Sequence, residues 1–218
     1  MNVKLSRNEL IAKRVAEELE GRLIVNLGIG IPTLVPQYLD NPEVFLHTEN
    51  GMLGIDDVEE DNIDPNIVNA GKLPIAETKN SSYFNSAESF AMIRGGHVDV
   101  AVLGALQVDE TGKIANWAIP GKNIIGVGGA MDLLVGAKKI VVAMTHLTKK
   151  NQIKIKKQCE FPLTSTRPVD MIVTDYAVFR VKNEELYLTE LMPGVTLEEV
   201  KENTEANFTV QLKGEEVY

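Results

Sequence analysis

The sequence predicts an α/β fold in which one mostly parallel sheet is covered by helices on both faces. Two observations carry this. Short, continuously apolar segments such as "RLIVNLGIG", "VDVAVLGAL" and "KIVVAMTH" alternate with segments of helical spacing, as strands buried on both faces do. The 218 residues contain no Pro/Ser-rich linker and suit a single domain, 1–218, with a full core.

The elements follow in order. Ser6 with Glu9 forms a capping-box pattern, and Leu10, Ile11, Val15 and Leu19 recur at helical spacing until Gly21. "RLIVNLGIG" is a strand ending in glycines; a helix carrying Leu34, Val35, Tyr38 and Leu39 comes next, then the strand "VFLHT". "SAESFAMIRGG" reads as a helix closed at Gly95 and leads into "VDVAVLGAL"; "AMDLLVGAK" and "KIVVAMTH" repeat that order. Toward the C-terminus, "VDMIVTDYAVFRV" and "ELYLTEL" read as paired strands, "TLEEVKENT" as a short helix and "NFTVQL" as a last strand. An acidic loop is expected from 56 to 66, and there is no internal repeat.

Composition excludes several classes. A net charge of -9 argues against nucleic-acid binding, which needs a clustered basic face. The single cysteine, Cys159, permits no disulfide within the chain and suits a reducing compartment. No apolar run approaches a membrane span, and the amphipathic, acid-containing N-terminal stretch is unlike a signal peptide, so a soluble, cytoplasmic protein is expected.

Few residues offer chemistry. His47, His97 and His146 lack the paired spacing of a zinc site, so no metal is expected, and a G-x-S-x-G nucleophile elbow is absent. "GIGIP" (28–32) has Thr33, and "GVGGAMD" (126–132) has Met131, where a dinucleotide fingerprint needs its third glycine. "GVGGAMD" can still bring backbone N–H groups to an anion, although a tight packing turn is the preferred reading of the pattern alone. In "KKNQIKIKKQ" (149–158), lysines alternating with Ile153 and Ile155 read as a half-exposed strand with a solvated face rather than a phosphate site. Trp117 reads as core in preference to a ligand rim. Glu49, in "FLHTENGMLG" (45–54), falls where a strand ends, and carboxyl ends of sheet strands are where open α/β folds bind ligands. An exposed turn acid beside Asn50-Gly51 is the competing reading, and on pattern alone it is narrowly the preferred one.

Several stretches together change that balance. "NLGIGIPTLVPQYL", "TENGMLG", "NAGKLP", "SFAMIRGGHVDVAVLGALQVDETGKIANWAIPGK", "GVGGAMDLLVGAKKIVVAM" and "VDMIVTDYAVF" resemble, in this order, the B (beta) subunit of family I CoA-transferases of the 3-oxoacid and butyrate-acetoacetate type. The similarity runs from about residue 6 to about 205. It implies a three-layer open α/β fold shared with ribose-phosphate isomerases, a partner A subunit in an A2B2 heterotetramer, and transfer of CoA from a short-chain acyl-CoA to a free carboxylic acid such as acetoacetate. In the family the glutamate of Ser-Glu-Asn-Gly is the nucleophile; here the motif is Thr48-Glu49-Asn50-Gly51, so the role falls to Glu49. The oxyanion-hole glycine of the G-x-G-G-A-M block corresponds to Gly129, with a second donor expected from the A subunit. Gly28, Gly30, Asn50, Gly51 and Gly128 are the expected substrate-binding positions. Two stretches depart from the family, "IDDVEEDN" after "GMLG" and "IAETKNSSYFNS" without its proline-glycine turn; they bear on acid specificity and not on the nucleophile.

The implied chemistry passes through a covalent glutamyl-CoA thioester and uses coenzyme A as substrate, with no cofactor. Two other readings of the same scaffold are an acyl-CoA hydrolase and a non-catalytic sensor of CoA or a sugar phosphate.

Overall fold

The computed structural model describes residues 5–56, 58, 63–122, 124 and 126–212. The acidic loop expected over 56–66 falls in large part outside the described residues.

Helix α1 (Arg7–Ala16) begins where the capping box sets it: the Glu9 amide donates to Ser6 Oγ, and the Ser6 amide donates to the Glu9 carboxylate. It ends at Ala16 rather than near Gly21, because the Glu18 and Leu19 amides reach back only three residues and tighten the last turn. Strand β1 (Leu23–Leu27) follows. The segment with Leu34, Val35 and Tyr38 is a 3₁₀ helix (Ile31–Tyr38) rather than an α-helix; Pro36, inside it, lacks the amide that an α-helix requires. After β2 (Val44–Thr48) the chain folds back as β3 (Met52–Asp56) and β4 (Ala76–Tyr83). Then come α2 (Ser86–Arg94), β5 (Val100–Leu103), β6 (Gln107–Asp109), β7 (Ile114–Ala115), α3 (Ala130–Gly136), β8 (Lys139–Ala143) and β9 (Ile155–Lys156). The chain closes with β10 (Met171–Val173), β11 (Ala177–Lys182), β12 (Glu185–Leu191), α4 (Leu197–Glu202) and β13 (Phe208–Val210).

Ten of these strands form one sheet in the order β13-β12-β11-β10-β8-β5-β1-β2-β3-β4. The centre, from β10 to β2, is parallel throughout, and antiparallel hairpins extend it on both sides. Side chains of the central strands alternate between two cores, as the period of a strand demands. Val100 and Val102 pack with Ile11 and Val15 of α1 and with Val35, whereas Ala101 and Leu103 pack with Ile93 of α2 and Leu133 of α3. The result is the expected three-layer arrangement, and burial of each such aliphatic side chain stabilises it by about 1.5–3 kcal/mol.

Of a separate three-stranded sheet, β7-β6-β9, the sequence pattern foreshadowed only β9, in the segment read as a half-exposed strand. It takes only Ile155 and Lys156 from the lysine-rich segment. That segment's face is not uniformly solvated: the Lys156 ammonium pairs with Glu205 at 2.7 Å and with Glu160 at 3.3 Å. Lys154 is half-buried, and desolvation pulls its pKa down to about 8. Trp117 is half-buried instead of core, with its indole N–H donating to the Leu163 carbonyl at 3.3 Å.

Because the five central strands are parallel, their carboxyl ends share one edge. Glu49 follows β2 at that edge, and His146 and Asp175 follow β8 and β10.

Candidate active site

The turn that presents Glu49 is built from its neighbours. Strands β2 and β3 pair through Thr48 and Met52, which leaves Glu49, Asn50 and Gly51 to reverse the chain. The Gly51 amide donates to the Thr48 carbonyl at 3.0 Å. Gly51 has φ +130°, a left-handed conformation, and a Cβ there would collide with the Phe84 carbonyl, so glycine is required on both counts. Thr48 is buried; its hydroxyl donates to Asn50 Oδ1 at 2.6 Å and accepts from the Ala70 amide at 2.9 Å. Asn50 Nδ2 in turn donates to the Val68 carbonyl at 2.8 Å. The segment 68–70 is thus clasped onto the turn.

Glu49 itself is half-buried and leaves the sheet on the side of α2 and α3. Asn26 Nδ2, projecting from β1, donates to Glu49 Oε2 at 3.1 Å. From the opposite direction comes Gly129, which precedes α3: a Cβ on Gly129 would lie 3.4 Å from both Cγ and Oε1 of Glu49 and 3.3 Å from Phe90 Cζ. Two stretches 80 residues apart, picked out separately in the sequence, therefore meet at this carboxylate. Gly128, beside it, has φ +53° with open space where a Cβ would be.

The remaining expected positions divide. Gly28 donates its amide to Val102 at 2.8 Å, and a Cβ there would lie 3.1 Å from that carbonyl; it presses the end of β1 against β5. Gly30, with φ +92°, turns the chain into the 3₁₀ helix. Asn50 has both side-chain polar atoms engaged within the chain.

Sequence reasoning passed over three residues behind Glu49. Asn26, His47 and Ser89 are all buried. Asn26 Nδ2 lies 3.0 Å from His47 Nδ1, and His47 Nε2 lies 3.1 Å from Ser89 Oγ. The His47 ring stacks on Phe84 with centroids 5.7 Å apart, and burial lowers its pKa to about 4, so it is neutral at neutral pH. The available signal was a polar residue inside each of two apolar strands, Asn26 in "LIVNL" and His47 in "VFLHT".

A carboxylate at the carboxyl edge of an open α/β sheet, held by an amide from behind and overlain by a glycine turn, defines a site for chemistry on a group that Glu49 can reach. The profile of the coenzyme A transferase family matches residues 8–203, and the chain belongs to that family. It is 51% identical over 210 residues, 95% of this chain and 97% of the relative, to the B subunit of a probable succinyl-CoA:3-ketoacid coenzyme A transferase from Bacillus subtilis. To the beta subunit of the acetate CoA-transferase from Haemophilus influenzae it is 50% identical over 207 residues, covering 94% and 93%. Among solved structures, an acyl-CoA transferase from Escherichia coli O157:H7 superposes with a TM-score of 0.76 at 21% identity, over 97% of this chain and 44% of that one.

Proposed function

We propose that this chain is the nucleophile-bearing subunit of an enzyme that moves CoA between a short-chain acyl-CoA and a free carboxylic acid, with a 3-oxoacid such as acetoacetate among the acids exchanged. Succinyl, acetyl and butyryl groups are of compatible size. The partner is an A (alpha) subunit, in an A2B2 assembly, and the setting is cytoplasmic.

The chemistry follows from Glu49. Its carboxylate attacks the thioester carbonyl; the C–S bond breaks and CoA leaves as thiolate, giving a mixed anhydride. The thiolate then attacks the Glu49 carbonyl, the acyl group departs as a free carboxylate, and CoA remains on Glu49 as a thioester. An incoming acid runs these steps in reverse and leaves as the new acyl-CoA. Each step exchanges one acyl bond for another, so the sequence balances with coenzyme A as substrate and no cofactor. Both tetrahedral intermediates carry an oxyanion, and a fixed backbone N–H such as that of Gly129 can lower the barrier by roughly 3 kcal/mol. Binding of CoA's remote groups favours the transition state over the ground state.

The observation that carries this reading is the closeness of Gly129 to the Glu49 carboxylate, such that a Cβ added there would touch it, while Asn26 donates to the other carboxylate oxygen. The test is intact-mass measurement of the chain, copurified with its A subunit, after brief exposure to acetoacetyl-CoA without acceptor acid, followed by peptide mapping. A CoA-sized adduct on the Glu49 peptide is expected. Steady release of CoA with no adduct would point to hydrolysis instead.

A further inference from the structure

Asn26 carries the one buried side-chain oxygen or nitrogen that lacks a hydrogen-bond partner among the described residues, its Oδ1. Leaving an amide oxygen unpaired inside a protein is unfavourable. Rotating the amide by half a turn would exchange the two ends, so something must oppose that rotation. Three atoms face the Nδ2 end: Glu49 Oε2 at 3.1 Å, the His47 carbonyl at 3.3 Å and His47 Nδ1 at 3.0 Å. The first two, a carboxylate and a carbonyl, only accept. His47 Nδ1 can agree with them only by accepting as well, which requires the proton on Nε2. Nε2 lies 3.1 Å from Ser89 Oγ, which can receive that N–H. Burial keeps the ring neutral, and the stack on Phe84 fixes its plane.

We propose that His47, in the Nε2–H form that Ser89 can accept from, is a positioning residue for catalysis: its Nδ1 adds the nearest of three acceptors that hold the Asn26 amide with Nδ2 toward Glu49, and so helps fix the orientation from which the carboxylate attacks. This rests on the assignment of Glu49 as nucleophile. With the nearest acceptor, Nδ1, removed, the amide hydrogens keep only Glu49 Oε2 and the more distant His47 carbonyl, so the energy gap between the two amide orientations narrows, and the flipped form sets Oδ1 against the Glu49 carboxylate. The carboxylate then turns away from Asn26. Acyl-CoA binding, which depends on groups remote from this buried chain, is unaffected.

Three variants, each assembled with the A subunit, test the role. His47→Leu keeps the approximate volume and removes both nitrogens; His47→Gln supplies an oxygen acceptor toward Asn26 and an N–H toward Ser89; Asn26→Leu removes the amide through which His47 acts. The readouts are kcat, KM for acyl-CoA, and the quenched-flow rate at which CoA appears on the Glu49 peptide. His47→Leu is expected to slow both kcat and adduct formation about 30-fold, in the range typical of residues that orient a reacting ligand, with KM within about twofold. His47→Gln is expected to recover to within about threefold of wild type. In the Asn26→Leu background, His47→Leu should add less than about twofold, since both act on one carboxylate. An unchanged adduct rate in His47→Leu, or losses that multiply in the double variant, would overturn the positioning role while leaving Glu49 as nucleophile. Should His47→Leu fail to assemble, Ser89→Ala removes one hydroxyl only: about a fivefold fall in kcat at constant KM supports the role, and wild-type kcat overturns it. If the wild-type complex forms no adduct on Glu49, the nucleophile assignment falls and this role falls with it.

Discussion

Two buried histidines stand at the same edge of the sheet and are put to different use. Both are fully enclosed, burial lowers the pKa of each to about 4, and each stacks on an aromatic ring, His47 on Phe84 and His146 on Tyr176. His146 is closed off by structure: its nitrogens lie 3.0 and 3.1 Å from the hydroxyls of Thr174 and Thr204, and its amide donates to Asp175 at 2.7 Å. Hydroxyls rotate to donate or accept, so that cluster satisfies itself. The His47 cluster has an amide where His146 has a hydroxyl, ends on a half-buried carboxylate and leaves Asn26 Oδ1 unpaired. A polar cluster that finishes its own hydrogen bonds fastens elements together; one that reaches outward and tolerates a deficit holds a half-buried carboxylate in place.

That contrast can be broken in graded steps. Glu49→Ala removes the outward end and should reduce CoA transfer below about 1% of wild type, with a melting midpoint within about 2 °C, measured by turnover and by calorimetry of the assembled complex. His146→Ala should do the reverse: about 2–4 kcal/mol of unfolding free energy lost in denaturant titration, from the cavity and the stranded threonine hydroxyls, while kcat of the folded fraction stays within about twofold.

The pH dependence sharpens the comparison further. Each histidine has a folded pKa of about 4 against an ordinary 6.5, so between those values the unfolded chain binds protons that the folded chain excludes. Stability is therefore flat above about pH 6.5 and falls as pH drops toward 4, by up to about 3 kcal/mol for each histidine. His47→Gln should remove about half of that slope and leave the share due to His146. The smallest effect belongs to Gly129→Ala, whose methyl group would press on Phe90 and the Glu49 carboxylate. About a tenfold fall in kcat is expected, with little change in denaturant midpoint.

Much of this was readable in the chain. The apolar runs marked the central strands because parallel strands are covered on both faces, and Ser6 with Glu9 fixed the first helix start because a capping box is local chemistry. Strand β4 escaped notice because "AETKNSSY" has no apolar alternation; at the sheet edge it has no second neighbour to bury it. Strands β6 and β7 of the small sheet are three and two residues long, too short for a periodic signal. Resemblance singled out Glu49 and Gly129, which the fold brings together, while the Asn26, His47 and Ser89 chain was not legible, since it joins residues 21 and 42 positions apart by side-chain geometry alone.

The clasp between the Glu49 turn and 68–70 has a consequence for how such a site can diversify. Before 57 the chain is pinned by β3, and after 67 by the bonds from Thr48 and Asn50. Lengthening the stretch between those anchors costs only about 0.6 kcal/mol per doubling of loop length. Changes of length or charge between those anchors therefore leave the Glu49 turn in place, so the departure at "IDDVEEDN" is largely separable from that turn, whereas the one at "IAETKNSSYFNS" runs through β4 and is tied to β3 by strand pairing.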